Sequence, residues 1–132
     1  MPFGLADSEF SALETESVEL LRALLRLDTT NPPGNETICA RLLADYLAQA
    51  GVDCELVGDD PARLNLVARL PGVRPGPTLL LLGHTDVVPA EAKEWSRPPF
   101  SGALEDGYIW GRGALDMKNQ VAAEAVAVAR LA

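Results

Sequence analysis

The run of four leucines at residues 79–82 constrains the fold of this chain more than any other segment. A strand with one solvated face alternates apolar and polar side chains, whereas this run is apolar on both faces, as in a central strand covered on two sides. Two strand-like runs, residues 53–57 and 65–70, precede it, and turn-forming sequences separate the three. The pattern therefore predicts an α/β fold, namely a layered α/β/α domain with a central, mostly parallel sheet, in which residues 78–82 form a buried strand.

Two amphipathic helices are predicted before these strands. Residues 11–27 place leucines at helical spacing with charged side chains opposite them, and the prolines of the following DTTNPPGNE sequence prevent this helix from continuing. A second helix is predicted over residues 36–50, with Asn35 as its N-terminal cap. Gly51 stands where the left-handed residue that ends many helices is expected.

The last third of the sequence predicts a hairpin and a further helix. Residues 100–104 and 108–110 flank the turn Glu105-Asp106-Gly107, which is typical of a tight hairpin. The final helix starts near Met117, and its apolar residues lie almost all round it, as expected of a buried helix. It reaches Ala132 without a capping residue, so we expect the chain to be the N-terminal part of a larger domain.

The composition of the chain limits which binding partners and which cellular compartment we expect for it. The 132 residues include 19 acidic and 11 basic side chains, and the net charge of −8 disfavours a nucleic-acid partner because it repels phosphate. No apolar run is long enough for a membrane span and the N-terminus does not resemble a secretory signal, so we expect a soluble, cytoplasmic protein with no membrane partner. Cys39 and Cys54 match neither a zinc knuckle nor a CxxC redox motif and are expected to be reduced, buried side chains.

His84 is the only histidine, and it directly follows the predicted central strand. If the backbone stays extended, Asp86 points to the same side, because side chains alternate along a strand. A carboxylate on one ring nitrogen fixes the tautomer of a histidine and makes the other nitrogen a better zinc ligand. The alternative is a structural pair, with His84 merely satisfied at a strand end and Asp86 forming a turn.

Asp116 lies in the sequence GRGALDMK, just before the final helix. The two glycines permit a tight backbone path, and Asp116 is a candidate functional carboxylate there. Alternatively, Asp116 could simply cap the helix, since aspartate is among the preferred N-terminal caps. A dinucleotide-binding loop is excluded, because Asp116 stands where the third glycine would be and its charge would repel a pyrophosphate.

Taken in order, these sequences resemble one known family. They are similar to the co-catalytic zinc metallopeptidases that include aminoacylase, acetylornithine deacetylase, succinyl-diaminopimelate desuccinylase and glutamate carboxypeptidase. The resemblance covers nearly the whole chain. It rests on DTTNPPG at residues 28–34, GHTDVVP at 83–89, Trp95, Pro99-Phe100, Asp106-Gly107 and GRGALDMK at 111–118.

The resemblance implies a hydrolase that cleaves an amide bond with a zinc-activated water. His84 would bind one zinc ion, Asp116 would bridge two, and Asp86 would be the catalytic-site carboxylate that holds His84. Cobalt or manganese could replace zinc, and the substrate would be a small N-acyl amino acid or a peptide. Asn119 departs from the family pattern, which often has glycine there, but it lies beyond the metal ligands.

The resemblance also implies that part of the site is missing from residues 1–132. Family members use an adjacent pair of glutamates, a further carboxylate and a late histidine, and this chain has no Glu-Glu pair and no second histidine. We therefore expect residues 1–132 to be the N-terminal part of the catalytic domain, without the rest of that domain and without the lid or dimerisation domain. The chain alone is expected to be inactive, and a homodimer would form through the missing domain.

Two other functions remain open at the level of sequence. In a metal-free serine hydrolase, His84 and Asp86 would activate Ser96 or Ser101, although the chain has no GxSxG nucleophile elbow. In the second alternative function, the chain is a truncated, non-catalytic relative that acts as a structural or binding module.

Aromatic and basic residues near these motifs have two interpretations as well. The aromatic and proline residues could line a substrate cleft but are expected to pack their loops onto the core; they are Trp95, Pro99, Phe100 and Trp110. Arg112 and Lys118 could bind an anionic substrate, but exposed basic residues are usually only solvated. The sequence leaves both interpretations of these two residues open.

Overall fold

The computed structural model describes residues 6–132, which form a small α/β structure. Three helices, two antiparallel strand pairs and a short 3₁₀ turn make up its regular structure. None of the helices in this part of the chain is both long and apolar enough to cross a bilayer. In chain order the elements are α1 (Asp7–Leu25), α2 (Thr37–Gln49), β1 (Asp53–Val57), β2 (Asn65–Arg69), the 3₁₀ turn (Ala92–Glu94), β3 (Ala103–Glu105), β4 (Tyr108–Trp110) and α3 (Lys118–Leu131).

The core forms where the apolar stripes of the three helices meet. Leu24 and Leu25 of α1 and Cys39 of α2 are completely buried, and Ala122 and Val126 of α3 close the cluster from the other side. The predicted helix at residues 11–27 is confirmed, but it begins earlier, at Asp7. Acidic residues in the first turn favour this start because they complement the helix dipole.

The second helix is confirmed, but Asn35 does not cap it. The residue that precedes its first turn is Glu36, and no side chain caps this end. Instead, the first turn is bonded to the loop before β2. Thr37 donates its backbone N–H to the Ala62 carbonyl at 3.0 Å and its hydroxyl to the Pro61 carbonyl at 2.8 Å. The Ile38 N–H donates to the Asn35 carbonyl at 3.3 Å, so two N–H groups of the first turn are satisfied by carbonyls without the Asn35 side chain.

The hairpin predicted around Glu105-Asp106-Gly107 is confirmed, and the strand-like runs that begin at residues 53 and 65 also form strands. β1 and β2 pair antiparallel, with Asp53 opposite Arg69. β3 and β4 pair through a two-residue turn in which Asp106 and Gly107 have φ of 54° and 79°. Positive φ at both central residues is the type I′ turn, whose twist matches that of a hairpin.

The predicted central parallel sheet is absent from residues 6–132. Both sheets have two antiparallel strands, and the single parallel pairing in the described chain is one bridge between Thr30 and Val87. Residues 78–82 form no strand, and the side chains of Leu79 and Leu80 are 80% and 78% exposed. The leucine run indicates that a strand here would need an apolar layer on each face. It does not indicate whether other strands lie beside it. β1 and β2 pair with each other, so neither lies beside it.

The final helix is only partly buried, contrary to the expectation of a helix buried all round. Its buried residues form one stripe along the face toward α1; they are Lys118, Ala122, Ala125 and Val126. Most remaining positions are alanine, valine or polar residues at least partly open to solvent. Alanine and valine side chains occur in both buried and solvent-exposed positions. Their number in the sequence therefore overestimated how much of this helix is buried.

Lys118 is fully buried, which contradicts the solvated interpretation. Its ammonium donates to the carbonyls of Leu24 and Leu27 at 3.0 and 2.9 Å, at the C-terminal end of α1. A positive charge is favourable there because the last carbonyls of a helix lack partners within it. Burial lowers the pKa of Lys118, while the nearby Cys39 and Asp28 act in the opposite direction. The bond ties the start of α3 to the end of α1.

The exposure of residues 79–82 can be tested by paired substitutions. We expect Leu80→Ser to change the free energy of unfolding by less than about 0.5 kcal/mol, because an exposed side chain has few contacts to lose. Leu24→Ala, in the completely buried core, is expected to cost about 2–5 kcal/mol. Urea denaturation of both variants measures the difference. A loss at Leu80 as large as that at Leu24 would instead support the buried strand that the sequence suggests.

Candidate functional site

The His84 ring lies between the carboxylates of Asp86 and Asp116. Its Nδ1 is 3.0 Å from Asp86 Oδ1, and its Nε2 is 3.0 Å from Asp116 Oδ1. The side chain of Asp86 is 35% exposed and that of Asp116 is 85% exposed. The structure thus brings together all three site residues that the sequence singled out, although Asp116 is far from the other two along the chain.

The segment that carries His84 and Asp86 is held extended by the loop after α1. Val87 donates its N–H to the Thr29 carbonyl at 3.1 Å, and its own carbonyl accepts the N–H of Asn31 at 2.9 Å. The buried Thr29 hydroxyl also donates to the carbonyl of Thr85, between the two site residues. These bonds give His84 and Asp86 the common orientation that strand alternation predicted, without a surrounding sheet.

Asn31 contacts the site directly, and sequence reasoning did not single it out. Its side-chain amide donates to Asp86 Oδ2 at 3.1 Å, while His84 contacts the other oxygen of the same carboxylate. Asn31 belongs to the DTTNPPG sequence, which its prolines and glycine marked only as a loop. Its position within a motif of the resembling family was the one available signal.

Two features place Asp116 opposite His84. Gly83 packs so closely against α3 that a Cβ there would lie 2.6 Å from Val121 Cγ2, and the missing side chain lets His84 approach the start of that helix. Gly113 has φ of 89°, and its carbonyl accepts the N–H of Lys118 at 3.0 Å, which confirms the tight path predicted for this loop. The residue preceding α3 is Met117 and no side chain caps it, so Asp116 is not the helix cap.

Hydrogen bonding holds Asp86 in its charged form. The pKa of the Asp86 carboxyl lies below its usual range, chiefly because Asn31 donates to it and also because of the charge and hydrogen bond of His84. Partial burial acts in the opposite direction. An ionised Asp86 can only accept hydrogen bonds, so His84 carries a proton on Nδ1. Nε2, which faces a second carboxylate, then needs either a proton or a metal cation beside it.

A cavity of about 510 Å³ opens beside these three residues. Trp95 and Trp110 line it, whereas Pro99 and Phe100 do not, so only the tryptophans fit the cleft interpretation. Ser96 and Ser101 are not part of the lining, and both nitrogens of His84 already contact carboxylates. This geometry does not resemble a catalytic triad, in which the Nε2 atom faces a serine hydroxyl.

The donor atoms of His84 and Asp116 fit a shared zinc ion. Two ligands of a tetrahedral zinc, each about 2.1 Å from the metal, lie about 3.4 Å apart. His84 Nε2 and Asp116 Oδ1 are separated by a similar distance, 3.0 Å. Asp86 on Nδ1 completes the carboxylate–histidine–metal arrangement common in zinc proteins. Within residues 6–132, however, no group of three or more His, Cys, Asp or Glu side chains could hold a metal, so the set is incomplete.

The chain is similar in sequence to known proteins. Residues 80–132, which contain all three site residues, match the sequence model of the peptidase family M20/M25/M40. The succinyl-diaminopimelate desuccinylase of Psychrobacter arcticus is 40% identical over 126 residues, which cover 89% of this chain and 30% of that protein. The chain is thus similar to the peptidase family M20/M25/M40. The resemblance seen in the motifs is thereby confirmed.

The chain is similar to desuccinylases of other organisms as well. The succinyl-diaminopimelate desuccinylase of Paracoccus denitrificans is 42% identical over 113 residues, covering 85% of this chain and 28% of that protein. That of Hydrogenovibrio crunogenus is 38% identical over 115 residues, covering 86% and 29%. The chain thus spans about 30% of the length of the curated relatives that it matches.

The role of Asn31 can be tested by titration. We expect Asn31→Ala to raise the pKa of Asp86 toward that of an ordinary carboxyl group, because the bond that most favours the charged form is lost. Carboxyl ¹³C NMR across the acid range measures this pKa. Asn65→Ala is the matched control, since the Asn65 amide bonds only to the Val57 carbonyl of the β1–β2 hairpin. An unchanged Asp86 titration in Asn31→Ala would contradict the assignment.

Proposed function

We propose that this chain supplies part of the active site of a metal-dependent hydrolase that cleaves an amide bond with a metal-activated water. The placement of the His84 ring between Asp86 and Asp116 carries the proposal. The match of residues 80–132 to a peptidase family and the similarity to desuccinylases support it. In this proposal His84 and Asp116 are metal ligands, and Asp86 orients His84.

Zinc is the metal that we propose, with cobalt or manganese as substitutes. When bound, zinc polarises a carbonyl group and lowers the pKa of a coordinated water toward about 7. Asp86 keeps the proton of His84 on Nδ1, so that the lone pair of Nε2 is free for the metal. Asp116 offers a second oxygen beyond the one that faces His84, which suits a carboxylate proposed to bridge two zinc ions.

The remaining ligands and the general base are proposed to come from sequence that this chain does not contain. Residues 1–132 hold one histidine and no Glu-Glu pair, and a catalytic zinc usually has three protein ligands. We therefore assign these residues to the N-terminal part of the catalytic domain. The other parts would correspond to the portion of the relatives that this chain does not match.

The proposed substrate is a small N-acyl amino acid or peptide. The relatives are named for removing a succinyl group from succinyl-diaminopimelate, so N-succinyl amino acids are the first substrates to test. The net charge of −8 makes a nucleic-acid partner unfavourable. A cytoplasmic location and a homodimer formed through a further domain remain predictions from the sequence.

Zinc titration of the 132-residue chain tests the ligands. We expect weak binding of Zn²⁺ by calorimetry, because only two ligands are present, and an affinity at least about tenfold lower in His84→Ala and Asp116→Ala. Asp45→Ala removes an exposed carboxylate on α2 and should leave binding unchanged. Equal zinc affinity in wild type and in both site variants would contradict the assignments.

A chimaera tests the reaction. If this chain replaces the matching residues of the Psychrobacter arcticus desuccinylase, we expect zinc-dependent hydrolysis of an N-succinyl amino acid that His84→Ala abolishes. Asp86→Ala should lower the rate more than the zinc content, because Asp86 acts by orienting a ligand.

Each contrary outcome of the chimaera experiment has its own meaning. Hydrolysis that survives a chelator would favour a metal-free serine hydrolase. A folded, zinc-loaded chimaera without activity would favour a non-catalytic binding module. Full activity of Asp86→Ala would contradict the orienting role of Asp86.

A further inference from the structure

The cavity beside His84 has charges of opposite sign on its walls. Asp86 and Asp116 contribute carboxylates, and Arg112 contributes the one basic side chain among the residues that line this cavity. Arg112 and Lys118 are both in the GRGALDMK sequence, but their environments differ. Lys118 is buried and bonded to α1, whereas Arg112 faces the cavity.

The guanidinium of Arg112 has unused hydrogen-bonding capacity. Its Nε is buried with no acceptor, and its Nη2 is 3.5 Å from the Pro89 carbonyl, at the outer limit for a hydrogen bond. No carboxylate of the described chain lies within 4.0 Å of it. Five other arginines each pair with a glutamate; they are Arg22, Arg63, Arg69, Arg97 and Arg130. Nη1 makes no hydrogen bond within the described chain and Nη2 makes only this long one, so the guanidinium keeps donors for an incoming anion.

Arg112 is also held in position before any ligand arrives. Its backbone N–H donates to the Pro99 carbonyl at 2.7 Å, and its guanidinium lies over the ring of Trp95, 5.1 Å from the centroid. Trp110 lines the same cavity, and its indole N–H is likewise buried without an acceptor. A planar, stacked guanidinium with free N–H groups matches the geometry of a carboxylate.

We infer that Arg112 binds a carboxylate group of the substrate and so selects acidic substrates for the site at His84. The inference rests on the proposed function, since it concerns the same cavity. Asp86 and Asp116 would repel an acidic group beside them, so its favourable position in the cavity is beside Arg112.

Ligand binding by the 132-residue chain tests this inference without metal. The probe is succinate in the presence of a chelator, and the readout is the indole N–H NMR signals of Trp95 and Trp110, the only tryptophans. We expect saturable shifts in wild type. Arg112→Met should weaken succinate binding at least about tenfold, and Arg112→Lys should weaken it less because the charge remains. Arg74→Met, which removes an exposed arginine, is the matched control and should bind as wild type does.

Several outcomes would overturn the inference. These are the absence of saturable shifts in wild type, equal succinate affinity in Arg112→Met and wild type, and equal binding of the neutral analogue succinamide. Binding of inorganic phosphate as tightly as succinate would reveal a general anion site and would also overturn it. Because a chelator is present, a failed zinc titration contradicts the proposed function alone.

Discussion

The end of α1 and the loop that follows it connect every segment that contributes to the candidate site. The Thr29 carbonyl and the Asn31 N–H bond to Val87 on one side, which fixes the segment of His84 and Asp86. The carbonyls of Leu24 and Leu27 accept the ammonium of Lys118 on the other side, which fixes the chain just after Asp116. His84 and Asp116 therefore meet because both of their segments are bonded to the same few residues. These bonds hold together two exposed loops that are far apart in sequence, so that His84 Nε2 lies 3.0 Å from Asp116 Oδ1.

The sequence predicted correctly the helices and the hairpin that form through contacts between residues close together in the chain. The α1 and α2 helices follow from apolar periodicity, and the β3–β4 hairpin follows from Asp106-Gly107, whose turn type needs two residues of positive φ. The three site residues were found from the order of motifs. Each of them alone also had a purely structural explanation.

Non-local contacts set the limit of sequence reasoning. Nothing near Lys118 in sequence indicates that its ammonium reaches carbonyls at the end of another helix, and nothing near Asn31 indicates its bond to Asp86. The leucine run at 79–82 failed as a predictor for a related reason. Its composition indicates which environment would suit it, but the strands that would provide that environment are not among residues 6–132.

The exposed leucine run has a practical consequence for work with the isolated chain. Residues 78–83 form an uncharged, proline-free segment directly before His84, with leucine side chains up to 80% exposed. Such segments promote self-association by backbone pairing between molecules, particularly when no charge opposes it. The segment that positions the histidine is thus also the main aggregation hazard, and charged gatekeeper substitutions there would improve the colloidal behaviour of the preparation.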